Sequence, residues 1–175
     1  MLRKIVAVIF IIVISILGFS ATKPDTFKIQ RTAMIKASPE KIFPYINDLH
    51  QWGAWSPWEG LDPALKKTFS GTPSGKGAIY EWDGNDKVGK GRMEIEETVP
   101  SSKILIKLDF FEPFNAHNKA EFSLQPQGKE TLVSWTMYGP NPYISKVMST
   151  FVSMDDMVGK DFETGLANLK SITER

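Results

Sequence analysis

Two histidines, His50 and His117, are all the imidazole chemistry this chain has. Such a pair could ligate a metal or move a proton near neutral pH. Nothing near either supplies the His/carboxylate spacing of a metal site. His117, in "EPFNAHNK", falls on a strand-to-strand turn, and both read as surface or structural groups. With no cysteine, thiol catalysis, disulfides and cysteine-based zinc sites are excluded. There is no G-x-S-x-G, and Ser56 precedes a proline with no assignable base. Gly71, Gly75 and Gly77 match no phosphate-loop or dinucleotide spacing and read as turn residues. In "VGKGRMEIEETV", alternation sends Glu94 and Glu96 to a wet face and leaves Glu97 inward, near a strand end where water can reach it. Asp109 is outward by the same count. Asp155 and Asp156, in "MDDM", suit the positive start of a helix. Calcium would need more oxygen ligands in series. No catalytic residue and no metal ligand is assigned.

The large apolar residues offer a different chemistry. "NDLHQWGAWSPWE" packs Trp52, Trp55 and Trp58 into a segment that Gly53, Ser56 and Pro57 break into a loop. Tryptophan is usually mostly buried, so these rings must face something. Trp55 and Trp58 read as structural plugs; Trp52 is either a plug or part of a binding wall. Tyr80, Trp82, Met93, Phe110, Trp135, Met148, Phe151 and Met154 are the other candidates for lining a space between a sheet and a helix. Aromatic and methionine walls suit varied apolar ligands. The same residues could also pack that space shut.

The elements that must position them follow from periodicity. "TFKIQRTAMIKA" alternates as a strand with one wet face, broken only by Arg31 on the inward side. "SPEKIFPYINDL" opens with Ser38 as N-cap and Pro39 at the first helical position, and Ile42, Phe43, Ile46 and Leu49 share a face. Pro44 should kink this short helix. Six further strands follow at short spacing, with turn chemistry at Gly84-Asn85-Asp86, Pro100-Ser101-Ser102 and Gln127-Gly128-Lys129. Ile104, Ile106, Leu108 and Phe110 face one way; so do Val133, Trp135 and Met137. A meander with one apolar face needs a lid. From Pro142 onward apolar residues recur at helical spacing, with a break expected at Gly159 between a short helix and a longer one. Gly165 is placed for close approach to the sheet.

The N-terminus differs from all this. Arg3 and Lys4 precede an uncharged run from Ile5 to Thr22. Eighteen helical residues span about 27 Å, just short of a bilayer core of about 30 Å. Residues 1–22 read as a signal anchor with the basic start in the cytoplasm and the domain outside. A cleaved signal peptide, leaving a secreted or periplasmic protein, is the alternative, although no clean A-x-A site is present. Residues 23–25 form a linker. A formal net charge of +1 gives no basic field for nucleic acid.

"ASPEKIFPYINDLHQWGAWSPWEGLDP", "YEWDGNDKVGKGRMEI" and "VGKDFETGLANLK" resemble the polyketide cyclase/dehydrase-like branch of the START-like (SRPBCC) superfamily. The resemblance covers residues 26–175. It implies an α+β helix-grip fold, a curved antiparallel sheet of about seven strands around a long C-terminal helix, with an apolar cavity between them. It implies a binding or carrier domain for a small hydrophobic ligand, lipid or polyketide-like, and requires no cofactor. A cyclase or dehydratase using the same cavity, or a chaperone-like interaction module, are the alternatives within that family.

Overall fold

The computed structural model describes residues 1–175. Helix α1 (Leu2–Ala21) precedes strand β1 (Thr26–Ile35), helix α2 (Pro39–Asn47) and a 3₁₀ turn at Leu49–Ala54. Six strands follow: β2 (Lys66–Gly71), β3 (Ala78–Asp83), β4 (Lys90–Val99), β5 (Lys103–Glu112), β6 (Ala116–Gln127) and β7 (Glu130–Pro140). Two helices close the chain, α3 (Tyr143–Met148) and α4 (Met154–Thr173). The strands form one antiparallel sheet in the order β1-β7-β6-β5-β4-β3-β2. From β2 onward it is the expected meander; β1 closes it by pairing with the last strand, Ala33 opposite Val133. The segment holding α2 and the tryptophans carries the chain from one edge of the sheet to the other. This is the helix-grip arrangement.

Period-two alternation splits the sheet into two faces. Ile95, Ile104, Ile106, Phe122 and Val133 are fully buried beneath α2, the 3₁₀ turn and α4. Each such apolar side chain contributes roughly 1.5–3 kcal/mol by leaving water. The other face carries ion pairs, such as Arg92–Glu94 at 2.8 Å and Lys119–Glu96 at 2.8 Å. Exposed pairs of this kind contribute at most about 1 kcal/mol each. They matter more for solubility than for stability.

Two glycines set how α4 meets the sheet. Gly165 lies against Trp135; a Cβ there would stand 2.8 Å from the ring. At Gly159 a Cβ would run into the Arg31 guanidinium. Arg31 reaches across the helix at this point, its two terminal nitrogens each 3.0 Å from an Asp155 carboxylate oxygen and its Nε 2.7 Å from Glu163. That explains the one cation on the inward side of β1. It also corrects the expected break: α4 runs unbroken through Gly159. The break falls earlier, at residues 149–153, where Ser153 accepts a hydrogen bond from the Asp156 N–H and Asp155 and Asp156 occupy the first turn of α4.

Helix α1 stands apart. Only Ser20 within it is buried. Its last turn docks on α3: Tyr143 donates to the Leu17 carbonyl at 2.8 Å, and Ser20 and Thr150 hydroxyls meet at 3.3 Å. Lys23 just beyond donates to Ser149 and Thr150. Lys146 pairs with Asp25 at 2.5 Å.

Candidate functional site

The tryptophan loop roofs the concave face. Trp52 and Trp55 are buried, and each indole N–H caps a carbonyl of α2: Trp52 to Ile46 at 3.0 Å, Trp55 to Tyr45 at 2.9 Å. These bonds satisfy carbonyls left free at the helix end and lock both rings inward. Asn168 of α4 holds the loop from the other side through the Trp55 carbonyl, at 3.1 Å. Trp58 is only partly buried and touches Trp135 and Phe162 edge-on, with ring centroids 5.7 and 6.2 Å away.

Trp135 is the centre of this cluster. It stacks on Phe162 at 4.1 Å and meets Trp52, Trp55, Trp58 and Phe122 as well. Such pairs add about 0.5–1.5 kcal/mol each beyond area burial. The space between β7 and α4 is therefore filled with rings. One polar atom there is unmatched: Trp135 Nε1–H is buried with no acceptor. An orphaned donor of this kind costs about 1–3 kcal/mol.

The candidate wall residues divide into two groups. Trp52, Tyr80, Trp82, Met93 and Trp135 are buried on the concave side, with Phe110 packed against them. Tyr80, Trp82 and Phe110 form a chain of rings at 5.9 Å steps across β3 to β5. Met148, Phe151 and Met154 are placed elsewhere. They are 50%, 69% and 41% exposed, on the surface around the α3–α4 junction. Because the helix breaks before Met154, the helical count that pointed them inward restarts there.

Two carboxylates at this site were not singled out from sequence. Glu59 ends the tryptophan loop, accepts a 2.9 Å hydrogen bond from the Tyr80 hydroxyl and pairs with Lys67. Burial pushes the Tyr80 phenol well above its ordinary value, and the hydrogen bond to Glu59 acts in the same direction. The phenol is therefore a fixed neutral donor. A shallow, open depression of about 300 Å³ lies here, lined by Trp55, Glu59, Lys67 and Asn168 among others. Asp161, one residue before Phe162, is the second. Burial raises its carboxyl above the usual range, and Trp58 and Lys160 pull the other way without overcoming it. The only signal for Glu59 was an acid closing a tryptophan-rich loop; for Asp161, its helical position beside Phe162.

The histidines lie elsewhere. His50 stacks on Phe69 at 4.1 Å and contacts Asp48 at 3.0 Å. His117 is on β6 rather than in a turn, opposite Asp109 in register, with 2.7 Å between Nδ1 and the carboxylate. Asp109 is on the outer face as expected, yet buried beneath His117 and Lys107. Burial would raise its carboxyl, but hydrogen bonds from those two residues hold it below the ordinary range. Glu97 is exposed and outward rather than inward, because a register shift between Ile95 and Glu97 inserts an extra residue. An open groove of about 590 Å³ runs along α2, lined by Glu40, Lys41, Tyr45 and Gln51 among others, with polar and apolar surface in near-equal shares.

Residues 26–174 match the family model described as polyketide cyclase / dehydrase and lipid transport. The chain belongs to this family. Solved structures agree on the fold. Protein CV1439 from Chromobacterium violaceum is similar with a TM-score of 0.59 at 15% identity, over 87% of this chain and 99% of that one. The Aha1 dimer from Colwellia psychrerythraea gives 0.57 at 20%, over 85% and 96%. The di-domain ARO/CYC StfQ from the steffimycin biosynthetic pathway gives 0.61 at 9%, over 85% of this chain and 51% of StfQ. Comparison with curated proteins finds no match.

Proposed function

We propose that residues 26–175 bind or carry a small hydrophobic molecule, lipid or polyketide-like, between the concave face and α4. Residues 1–22 tether the domain to a membrane, with residues 23–25 as linker and the domain on the extracytoplasmic side. The observation that carries the binding reading is the family match, whose description includes lipid transport, on a chain with an aromatic concave face. The orphaned Trp135 Nε1–H adds to it, since an acceptor on a bound molecule would satisfy a donor that the protein leaves free. Because rings fill the space beside Trp135, binding requires the roof to move. Trp58 is the side chain suited to that, being partly exposed and held by edge contacts to Trp135 and Phe162 and one hydrogen bond to Asp161. Arg3 and Lys4 before the apolar run support the orientation.

Native mass spectrometry of the full chain released from membranes tests the binding reading. A co-purifying apolar molecule is the expected result; bare protein that takes up no apolar fluorescent probe would sink it. Protease added to sealed spheroplasts tests orientation: digestion of the domain is expected, and full protection would place it in the cytoplasm. A cyclase or dehydratase reading is favoured by one observation, the raised carboxyl of Asp161 beside Trp58. Turnover of a polyketide-like substrate that Asp161→Asn abolished in a folded protein would make that reading the better one.

A further inference from the structure

The surface around the α3–α4 junction carries large apolar side chains that the fold does not cover. Ile144, Met148, Phe151, Val152, Met154 and Met157 are 65%, 50%, 69%, 49%, 41% and 57% exposed. Single exposed hydrophobics are ordinary, but a contiguous group in a short stretch marks an interaction surface. The adjoining helix α1 says with what. The Tyr143 hydroxyl, at the start of α3, bonds the Leu17 carbonyl, and Ser20 and Lys23 bond Ser149 and Thr150. The patch is thus pinned beside the last turn of α1.

We propose that this α3–α4 patch inserts into the interfacial layer of the same bilayer that α1 spans, so that the domain lies against the membrane rather than hanging from a flexible tether. The inference rests on the reading of α1 as a membrane span. Depth supports it. Twenty helical residues reach about 30 Å, the thickness of a hydrocarbon core. Leu17 lies four residues before Ala21, so Tyr143 meets α1 about 6 Å inside its end. Interfacial helices bury their apolar face by about 5–10 Å. Tyrosine is also the residue favoured at that level.

Charge placement is compatible. Met154 and Met157 are three residues apart and share a flank of α4. Asp155 is turned away to Arg31. Asp161 is four residues beyond Met157 on the same flank, next to Trp58. The rim of the concave face then opens toward the bilayer, and a lipid-derived ligand could pass between them without crossing water.

A chain without cysteine makes the test direct. Single cysteines replace Ile144, Phe151, Phe10 and Lys129, one per variant of the full chain, and carry an environment-sensitive fluorophore. Lys129 lies in the β6–β7 turn, about 30 Å along β7 from α3. The variants are reconstituted into vesicles whose lipids carry a nitroxide near the headgroup end of the acyl chain. Probes at 144 and 151 should lose roughly half their emission, and the probe at 129 almost none, as expected for shallow burial. A probe at 151 as unquenched as at 129 overturns the inference, whether its emission is water-like or shifted to the blue by a second copy or another protein. The probe at Phe10 reads the anchor separately, with lipids nitroxide-labelled near the chain end. Its quenching while 151 is silent leaves the anchor standing and removes the docked domain; silence at Phe10 removes the anchor.

Discussion

Trp135 and Phe162 lie flat on one another, 4.1 Å between ring centroids and 7° between planes, because Gly165 leaves the room. One residue without a side chain thereby sets the distance between the closing helix and the last strand. Rings from the tryptophan loop then seal the edges of that stack.

Gly165→Ala should therefore destabilise. A methyl 2.8 Å from the Trp135 ring must push helix and sheet apart. Overpacking costs about 1–3 kcal/mol. Replacing a helical glycine by alanine returns about 1 kcal/mol. The expected net loss is up to about 2 kcal/mol, read as a lower urea midpoint with unchanged slope. A gain in stability would mean that the stack is loose.

Trp135 and Phe151 should behave very differently when truncated. Trp135 is 2% exposed and surrounded by five rings, so Trp135→Ala should cost about 3–5 kcal/mol, the filled-core range. Phe151 is 69% exposed, and Phe151→Ala should stay within about 0.5 kcal/mol. Urea melts of both variants decide it. A loss well below 3 kcal/mol at Trp135 would point to empty space beside the ring.

Much of this was legible in the sequence because alternation is a strong signal where one face is buried. Ile104, Ile106, Val133 and Trp135 face inward as their spacing required. The illegible parts share a cause: each depends on a contact between distant residues or on one irregular step. Arg31 looked misplaced until Gly159, far along the chain, supplied the gap for it. Glu97 turned outward through one bulged residue that no periodicity reveals. Met148, Phe151 and Met154 share one helical count in the sequence, and the helix breaks between them. Tyr80 was placed on the wall, but its partner Glu59 is 21 residues earlier, and only strand register brings Asp109 to His117.

Two aspartates should shift stability with pH in opposite directions. Asp109 has a folded pKa below its unfolded value of about 3.9, so its contribution is complete above that value and is lost as pH falls through the folded pKa. The advantage of wild type over Asp109→Asn should shrink on acidification below about pH 4. Asp161 has a raised folded pKa, so folding loses stability as pH rises from the unfolded pKa through the folded one. Asp161→Asn should be more stable than wild type at neutral pH and lose that advantage in acid. Thermal melts across pH 2–7 test both; parallel profiles for wild type and either variant would refute the assignment for that residue.

Trp58 should control access rather than stability. Trp52 and Trp55 each spend an indole N–H on an α2 carbonyl and are buried, whereas Trp58 is partly exposed at the rim, with edge contacts to two rings and a hydrogen bond to the Asp161 side chain. Trp52→Ala deletes a core ring and should cost about 3–5 kcal/mol. Trp58→Ala removes a partly exposed one and should cost less, about 1–3 kcal/mol. If ligands pass beneath the loop at this point, the shorter side chain lowers the barrier to entry and exit together. Stopped-flow mixing with an apolar fluorescent probe should show association and dissociation each several-fold faster in Trp58→Ala, with a smaller change in Kd, since a gate acts on both rates. Unchanged rates in a folded variant would place the entrance elsewhere on the concave face. A large loss of affinity with unchanged association would make Trp58 a wall of the site and not its gate.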